Sequence, residues 1–342
     1  MKAKSEMTRP PLDKAAEKTH IDAPGVREQA DQALDIGVTL MLQGKFVEAI
    51  AVFDEINRRF GKDDTPGVRK QVASALGNKG LILKQQGKSM EAIAVFDETD
   101  RRFGKDDTPG VCVPVASALF NKGWTLEEQG KFVEAIAVYD KVVRRFGKDD
   151  TPGVGERVAR ALVNKSMALG CLLGFVEAIA VYDEIDRRFG QDDTPGVREQ
   201  VARALVYKRM TLREEGASVE AIAVFDETDR RFGQDDTPGV RVWVANALGN
   251  KGGALWRQGQ SVEEIAIYDE LDRRFGQDDT PGVREAVAMA LVCKGWILGE
   301  QGKSVEAIAV HDEIDRRFGQ DDTTPSVREW VARVLGIKSE FL

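Results

Sequence analysis

A 43-residue unit recurs along most of this chain. The octapeptide EAIAVFDE begins at Glu48, and the positions equivalent to its first alanine follow at a constant spacing of 43 residues: Ala49, Ala92, Ala135, Ala178, Ala221, Glu264 and Ala307. A second motif, DDTPGV, recurs at the same spacing, with prolines at Pro66, Pro109, Pro152, Pro195, Pro238 and Pro281. Units of this length cannot bury an apolar face alone and stack on their neighbours. The sequence therefore predicts one stack of seven units.

Each unit has the pattern of two amphipathic helices, which we call helix A and helix B. In the fifth unit, Thr194 is a candidate N-cap and Pro195 occupies the first turn, where a missing N–H costs nothing. Apolar residues then recur every three or four positions, as at Val201, Leu205 and Leu212. A glycine-containing turn separates helix A from helix B, which carries an apolar stripe and a charged opposite face.

The second unit combines small and apolar residues in a familiar order: Leu76, Gly80, Leu83 and Gly87, then Ala92 and Phe96. This combination resembles the tetratricopeptide repeat, and the likeness extends over all seven units. The resemblance implies an all-α helical-repeat solenoid, a superhelix of seven two-helix units plus a terminal helix. The family period is about 34 residues, so the longer unit predicts a longer helix A and a longer preceding loop.

The repeat boundaries predict three segments. Residues 1–23 form a polar flexible leader, residues 24–324 form seven repeats, and residues 325–342 form a C-terminal half-repeat helix. That last helix carries Trp330 and Ile337 with no following helix B to cover them. Because terminal repeats normally present a polar outer face, we expect homo-oligomer formation through the C-terminal end.

A lysine stands at one helix A position in six consecutive units, where the family usually has an apolar residue: Lys79, Lys122, Lys165, Lys208, Lys251 and Lys294. Since an unpaired buried charge is costly, we expect ion pairs with helix B of the preceding unit. The expected partners are Asp100, Asp186, Asp229 and Asp272. Asp97 and its equivalents are the alternative partners.

The repeats differ most along one arc of helix A, opposite the arc of repeated apolar residues. In a tetratricopeptide-like stack this arc lines the concave groove, and it holds three of the five tryptophans. We predict that binding residues lie here: Phe120, Trp124, Met167, Met210, Trp256, Arg257 and Trp296. Tryptophan, methionine and arginine are typical of binding surfaces. The alternative is that these side chains only pack the inner surface.

Composition excludes several functional classes. The net charge of −8 disfavours nucleic acid as a partner. The sequence contains no apolar run long enough to predict a membrane span. Three scattered cysteines and two histidines offer no metal site and no catalytic arrangement. The aspartates of the DDTPG loops are interpreted as capping charges rather than a cation site. We therefore expect a cytoplasmic protein with no cofactor and no enzymatic activity.

These observations predict a non-enzymatic scaffold that binds a protein or peptide ligand in the helix A groove. Two alternatives stay open at this point. One is a structural repeat array that self-associates, and the other is a regulatory or sensor array that acts on a separate catalytic partner.

Overall fold

The computed structural model describes residues 25–149, 151–215 and 218–319, together with Val327. This part of the chain contains fourteen α-helices and no strand. The helices are α1 Val26–Leu42, α2 Phe46–Phe60, α3 Pro66–Gln85, α4 Ser89–Phe103, α5 Pro109–Glu128, α6 Phe132–Phe146, α7 Val154–Cys171, α8 Phe175–Phe189, α9 Pro195–Glu215, α10 Ser218–Phe232, α11 Pro238–Arg257, α12 Ser261–Phe275, α13 Pro281–Glu300 and α14 Ser304–Phe318. Odd-numbered helices are helices A and even-numbered helices are helices B. The seven two-helix units are confirmed.

Two predicted segments lie outside this description. They are the leader, residues 1–23, and all of the terminal helix, residues 325–342, except Val327. The predicted association through the C-terminal end therefore stays a prediction.

Contacts run only between neighbours in the described stack. Each helix A packs on its own helix B, on the preceding helix B and on the helices A of adjacent units. In the same residues, Cα atoms of successive helices B stay more than 8 Å apart. Because helices A approach one another more closely than helices B do, the helix A side is the concave side of the stack.

A glycine in helix A lets helix B approach closely in most units. A Cβ atom added at Gly80 would lie 2.3 Å from the ring of Phe96, and one added at Gly123 would lie 2.5 Å from Tyr139. In the last unit the imidazole of His311 replaces the phenylalanine or tyrosine ring, and its Nε2 atom would lie 2.6 Å from a Cβ atom added at Gly295. His311 is buried, as expected for a packed histidine. This contact sets the spacing of the two helices in a unit.

The predicted lysine ion pairs, which we call the lysine ladder, form with the alternative partners, Asp97 and its equivalents. Lys79 Nζ lies 2.6 Å from Asp54 Oδ1, Lys122 Nζ lies 2.5 Å from Asp97 Oδ1, and the same pair recurs at every described step. The remaining pairs are Lys165–Asp140, Lys208–Asp183, Lys251–Asp226 and Lys294–Asp269. Each pair joins helix A of one unit to helix B of the unit before.

The partners first expected for the lysines form a second ladder between successive helices B. Asp229 accepts a 2.6 Å bond from Arg274, which also donates to the carbonyl of Gly233 at 2.7 Å. Asp186 pairs with Arg231, Asp272 with Arg317, and Asp100 with Lys141. The expectation that these aspartates bind the lysines is wrong, because an arginine or a lysine of the next helix B pairs with them instead.

The two ladders should differ in strength. Lys251→Met should lower the free energy of unfolding by less than about 1 kcal/mol, because its partner Asp226 is well exposed. Arg274→Met should lower the free energy of unfolding by about 1.5–3 kcal/mol, because it removes a largely buried guanidinium together with its two hydrogen bonds. Urea denaturation of both variants checks this order. An equal loss in the two variants would contradict it.

The first aspartate of each described loop caps the following helix A. Asp235 Oδ1 accepts a hydrogen bond from the backbone N–H of Thr237 at 2.8 Å, while the Thr237 side chain makes no capping bond. Arg198 donates to the same carboxylate at 2.7 Å. Burial alone would raise the pKa of Asp235, but the hydrogen bonds from Thr237 and Arg198 outweigh it and hold the pKa below the usual 3.8.

This lowered pKa makes stability depend on pH with a defined sign. A carboxylate with a depressed folded-state pKa stabilises the fold above its unfolded pKa, and that contribution is lost as pH falls through the folded pKa. Asp235→Asn should therefore cost about 1–2 kcal/mol at pH 7 and progressively less below about pH 5. Urea titrations of both proteins from pH 7 to pH 3 measure this difference. Asp236→Asn is the control, since that neighbouring carboxylate is almost fully exposed.

One turn between helix A and helix B lacks its glycine. Gly87, Gly130 and Gly259 adopt φ values of 72–76°, and in the fourth unit Leu173 adopts φ 62° at the equivalent position. A left-handed backbone costs a non-glycine residue about 1–2 kcal/mol. The Leu173 side chain is 76% exposed, so it recovers little of this cost by packing.

Replacing Leu173 by glycine should therefore stabilise the protein. We expect a net gain of about 0.5–1 kcal/mol, because the relieved strain exceeds the entropy that glycine adds to the unfolded chain. Thermal melting of the variant measures the gain. Leu172→Gly is the control, since Leu172 has φ −91° and should give no increase.

Candidate functional site

The candidate site is the groove formed by helices A on the concave side. Of the predicted binding residues, Trp124, Trp256 and Trp296 are 40%, 45% and 41% exposed. Met210 and Arg257 are also exposed, and Met167 is half-buried. Phe120 is only 4% exposed, so it supports the surface from beneath rather than facing a ligand.

Two tryptophans of adjacent units pack against each other in the groove. The ring centroids of Trp256 on α11 and Trp296 on α13 lie 6.0 Å apart with the planes tilted by 57°, a favourable aromatic arrangement. Arg257 follows Trp256 directly. Exposed aromatic rings beside a cation are typical of residues that dominate binding energy.

Trp124 lies beside a lysine–glutamate ion pair between the second and third units. Lys84 Nζ lies 3.1 Å from the centroid of its indole ring and 2.9 Å from Glu128 Oε1. On the inner side, the Phe120 ring lies 6.4 Å from Trp124 and 6.0 Å from Tyr139. Phe120 therefore links the exposed indole to the buried ring of helix B.

A buried polar network supports this part of the groove. The Tyr139 hydroxyl donates to Glu127 Oε2 at 2.6 Å, and Asn164 Nδ2 donates to the same oxygen at 3.1 Å. Burial raises the pKa of Glu127, although both hydrogen bonds act in the opposite direction. The network joins the third and fourth units and fixes the position of the groove wall.

Two arginines in the groove were not predicted from the sequence. Arg160 lies over the ring of Phe120 at 4.7 Å, and Arg203 lies over Tyr207 and donates to Met167 Sδ at 3.4 Å. Both occupy a helix A position that varies between units: Asp31, Ser74, Ser117, Arg160, Arg203, Asn246 and Met289. This variation is visible in the sequence and could have indicated a groove position. The position lies about one helical turn before the variable arc on which the prediction was based.

The first three units form an open part of the groove. A cavity of about 580 Å³ lies along α1, α3 and α5, lined by Leu34, Gly77 and Leu81 together with the small polar side chains of Ser74, Ser117 and Asn121. This volume falls in the range of ligand pockets, about 300–1,000 Å³. The groove thus combines an open, mixed polar and apolar half with an aromatic half.

The described residues contain no group of three or more histidine, cysteine, aspartate or glutamate side chains placed to hold a metal ion. Within the same residues, none of the helices combines the length and apolar character needed to cross a membrane.

The fold and the groove define a helical-repeat solenoid. A tetratricopeptide repeat family model matches residues 77–150, a range that begins within α3 and ends between α6 and α7. The resemblance to tetratricopeptide repeats is therefore confirmed. Among curated proteins, none matches this sequence.

Solved structures share the architecture at low sequence identity. A tetratricopeptide repeat protein from Parabacteroides merdae is 14% identical with a TM-score of 0.52, over 90% of this chain and 99% of that one. The apo form of RapI is 9% identical with a TM-score of 0.59, over 91% and 87% of the two chains. The apo form of the quorum sensor NprR from B. thuringiensis is 11% identical with a TM-score of 0.53, over 91% and 88%. At these identities the likeness shows the fold.

Proposed function

We propose that this protein is a non-enzymatic scaffold whose helix A groove binds a peptide or an extended or helical segment of another protein. The observation that carries the proposal is the exposure of Trp124, Trp256 and Trp296 on the concave side. Leaving such large apolar rings in water is unfavourable, and contiguous exposed apolar surface marks interaction sites. The rings at the repeated packing position of helix B, such as Phe96, are fully buried.

The repeat comparison supports the same proposal. Positions that serve the stack carry the same residue types in nearly every unit, whereas the groove positions differ from unit to unit. The candidate residues extend from α5 to α13. A ligand that contacts all of them must be long, because each unit contributes only a few side chains.

Paired measurements of affinity and stability test the groove. A peptide selected from a displayed random library against the full chain serves as the probe. Trp124→Ala and Trp256→Ala should each weaken its binding by about 2 kcal/mol or more. The same variants should lose less unfolding free energy than the about 3–5 kcal/mol expected for a buried aromatic. Calorimetry and urea denaturation measure the two quantities.

Two variants serve as controls. Val262→Ala removes an exposed side chain on α12, a helix B, and should change neither quantity. Phe96→Ala removes a core ring and should lower stability sharply. A large loss of stability in the tryptophan variants with peptide binding intact would mean that the groove residues only pack the inner surface.

A further inference from the structure

A second, smaller pocket lies in the groove face between α9, α11 and α13. It has a volume of about 170 Å³ and is lined by Arg209, Arg213, Asn250, Arg257, Tyr268 and Cys293, among others. Its lining includes three arginines and no carboxylate. This volume restricts the occupant to a small group, because pockets for drug-sized ligands are larger, about 300–1,000 Å³.

Arg209 stands at a position that the repeat reserves for a small residue. The equivalent residues are Gly37, Gly80, Gly123, Ser166, Gly252 and Gly295. The Arg209 side chain is 1% exposed, and its guanidinium lies 4.3 Å from the ring centroid of Phe225. Its Nε atom is buried and has no hydrogen-bond partner. A charged side chain has thus replaced the glycine without acquiring a counterion among the described residues.

The neighbouring arginines add to this uncompensated charge. Arg213 pairs with Glu214, and Arg257 donates only a 3.3 Å bond to the carbonyl of Gly253. Burial, followed by repulsion from Arg213 and Arg257, lowers the pKa of Arg209 to about 10. Three guanidinium groups against the single carboxylate of Glu214 leave two positive charges uncompensated among these described residues. That surplus stands out in a chain with a net charge of −8.

The opposite wall also departs from the repeat. Cys293 occupies a position that is asparagine in four other units, and Glu264 occupies the alanine position of helix B. Glu264 is buried, does not line the pocket, and accepts a 3.0 Å hydrogen bond from the Tyr268 hydroxyl. Burial raises the pKa of Glu264, with this hydrogen bond acting in the opposite direction. Around this one pocket, three successive units therefore carry a residue that differs from the repeated one: Arg209, Glu264 and Cys293.

We propose that this pocket binds a phosphate group, as the dianion, through Arg209, Arg213 and Arg257. A phosphate dianion matches the surplus of two positive charges, and its oxygens accept the N–H donors of guanidinium groups in paired geometry. Gly249 and Arg257, which line the pocket, lie on the variable arc of helix A. The group can therefore arrive as a free phosphate or on a phosphorylated side chain of a segment lying in the groove. The proposal does not depend on the groove binding a peptide.

Calorimetric titration of the full chain with inorganic phosphate at pH 7.5 tests the proposal. Binding with one-to-one stoichiometry is expected, with sulfate also bound and acetate at least about tenfold weaker, since it carries one charge. Arg209→Gly restores the residue of five other units and should reduce phosphate affinity at least about tenfold. Arg257→Gln, which alters an exposed side chain, should weaken binding without affecting folding.

Controls separate this site from general attraction to basic residues. Arg230→Gln removes an exposed arginine paired with Glu227 on α10 and should leave phosphate binding unchanged. In phosphate-free buffer, Arg209→Gly should melt no lower than the parent protein, because it removes an uncompensated buried charge. Absence of phosphate binding, acetate binding as tight as phosphate, or full binding by Arg209→Gly would each overturn the proposal.

A phosphoserine peptide distinguishes the two sources of the group. Affinity at least about tenfold above that of inorganic phosphate, lost in Arg209→Gly, assigns the pocket to a phosphorylated segment in the groove. Equal affinities assign it to free phosphate. Either result supports the phosphate site. Loss of groove-peptide binding in Trp256→Ala with phosphate binding retained would show that the two sites act separately.

Discussion

The contact between a helix A glycine and a helix B ring determines how five of the seven units are built. At Gly80 and Gly252 a Cβ atom would lie within 2.4 Å of the facing ring, closer than any real side chain approaches. The helices of one unit therefore pack with backbone against ring. Every further contact, between helices A and from helix B to the next helix A, depends on this spacing, because a unit with separated helices presents no continuous apolar surface to its neighbour.

Polar contacts then fix how successive units are oriented. The lysine ladder joins helix B to the next helix A, and the second ladder joins successive helices B through Asp229–Arg274 and its equivalents. Apolar packing alone tolerates small rotations between units, whereas a hydrogen bond loses strength steeply when its geometry changes. The lysine pairs, repeated at each described step, and the Asp–Arg pairs of the last three steps therefore hold the groove residues of distant units in a constant relation. Such regularity suits the long ligand proposed for the groove.

Much of this arrangement could be predicted from periodicity. The 43-residue spacing predicts seven pairs of helices, and the variable arc predicts a groove with Trp124, Trp256 and Trp296 exposed on it. The partner of each lysine could not be predicted, because Asp97 and Asp100 differ by less than one helical turn and the choice depends on how helix B rotates against the next unit. The depth of Phe120 was missed for a related reason: its burial depends on Tyr139 and Arg160 from neighbouring helices.

The departures from the repeat carry information that the repeat itself lacks. A position occupied by the same residue in most units is required by the stack, so a change there has a cost that packing alone does not offset. Placing a buried arginine where five units have glycine adds a desolvated charge to the fold. The cost falls on one unit, because each unit contacts only its neighbours, and the remaining contacts of the array maintain the fold. A repeat protein can therefore hold an uncompensated buried charge at Arg209 without losing its architecture, and that charge favours any anion that neutralises it.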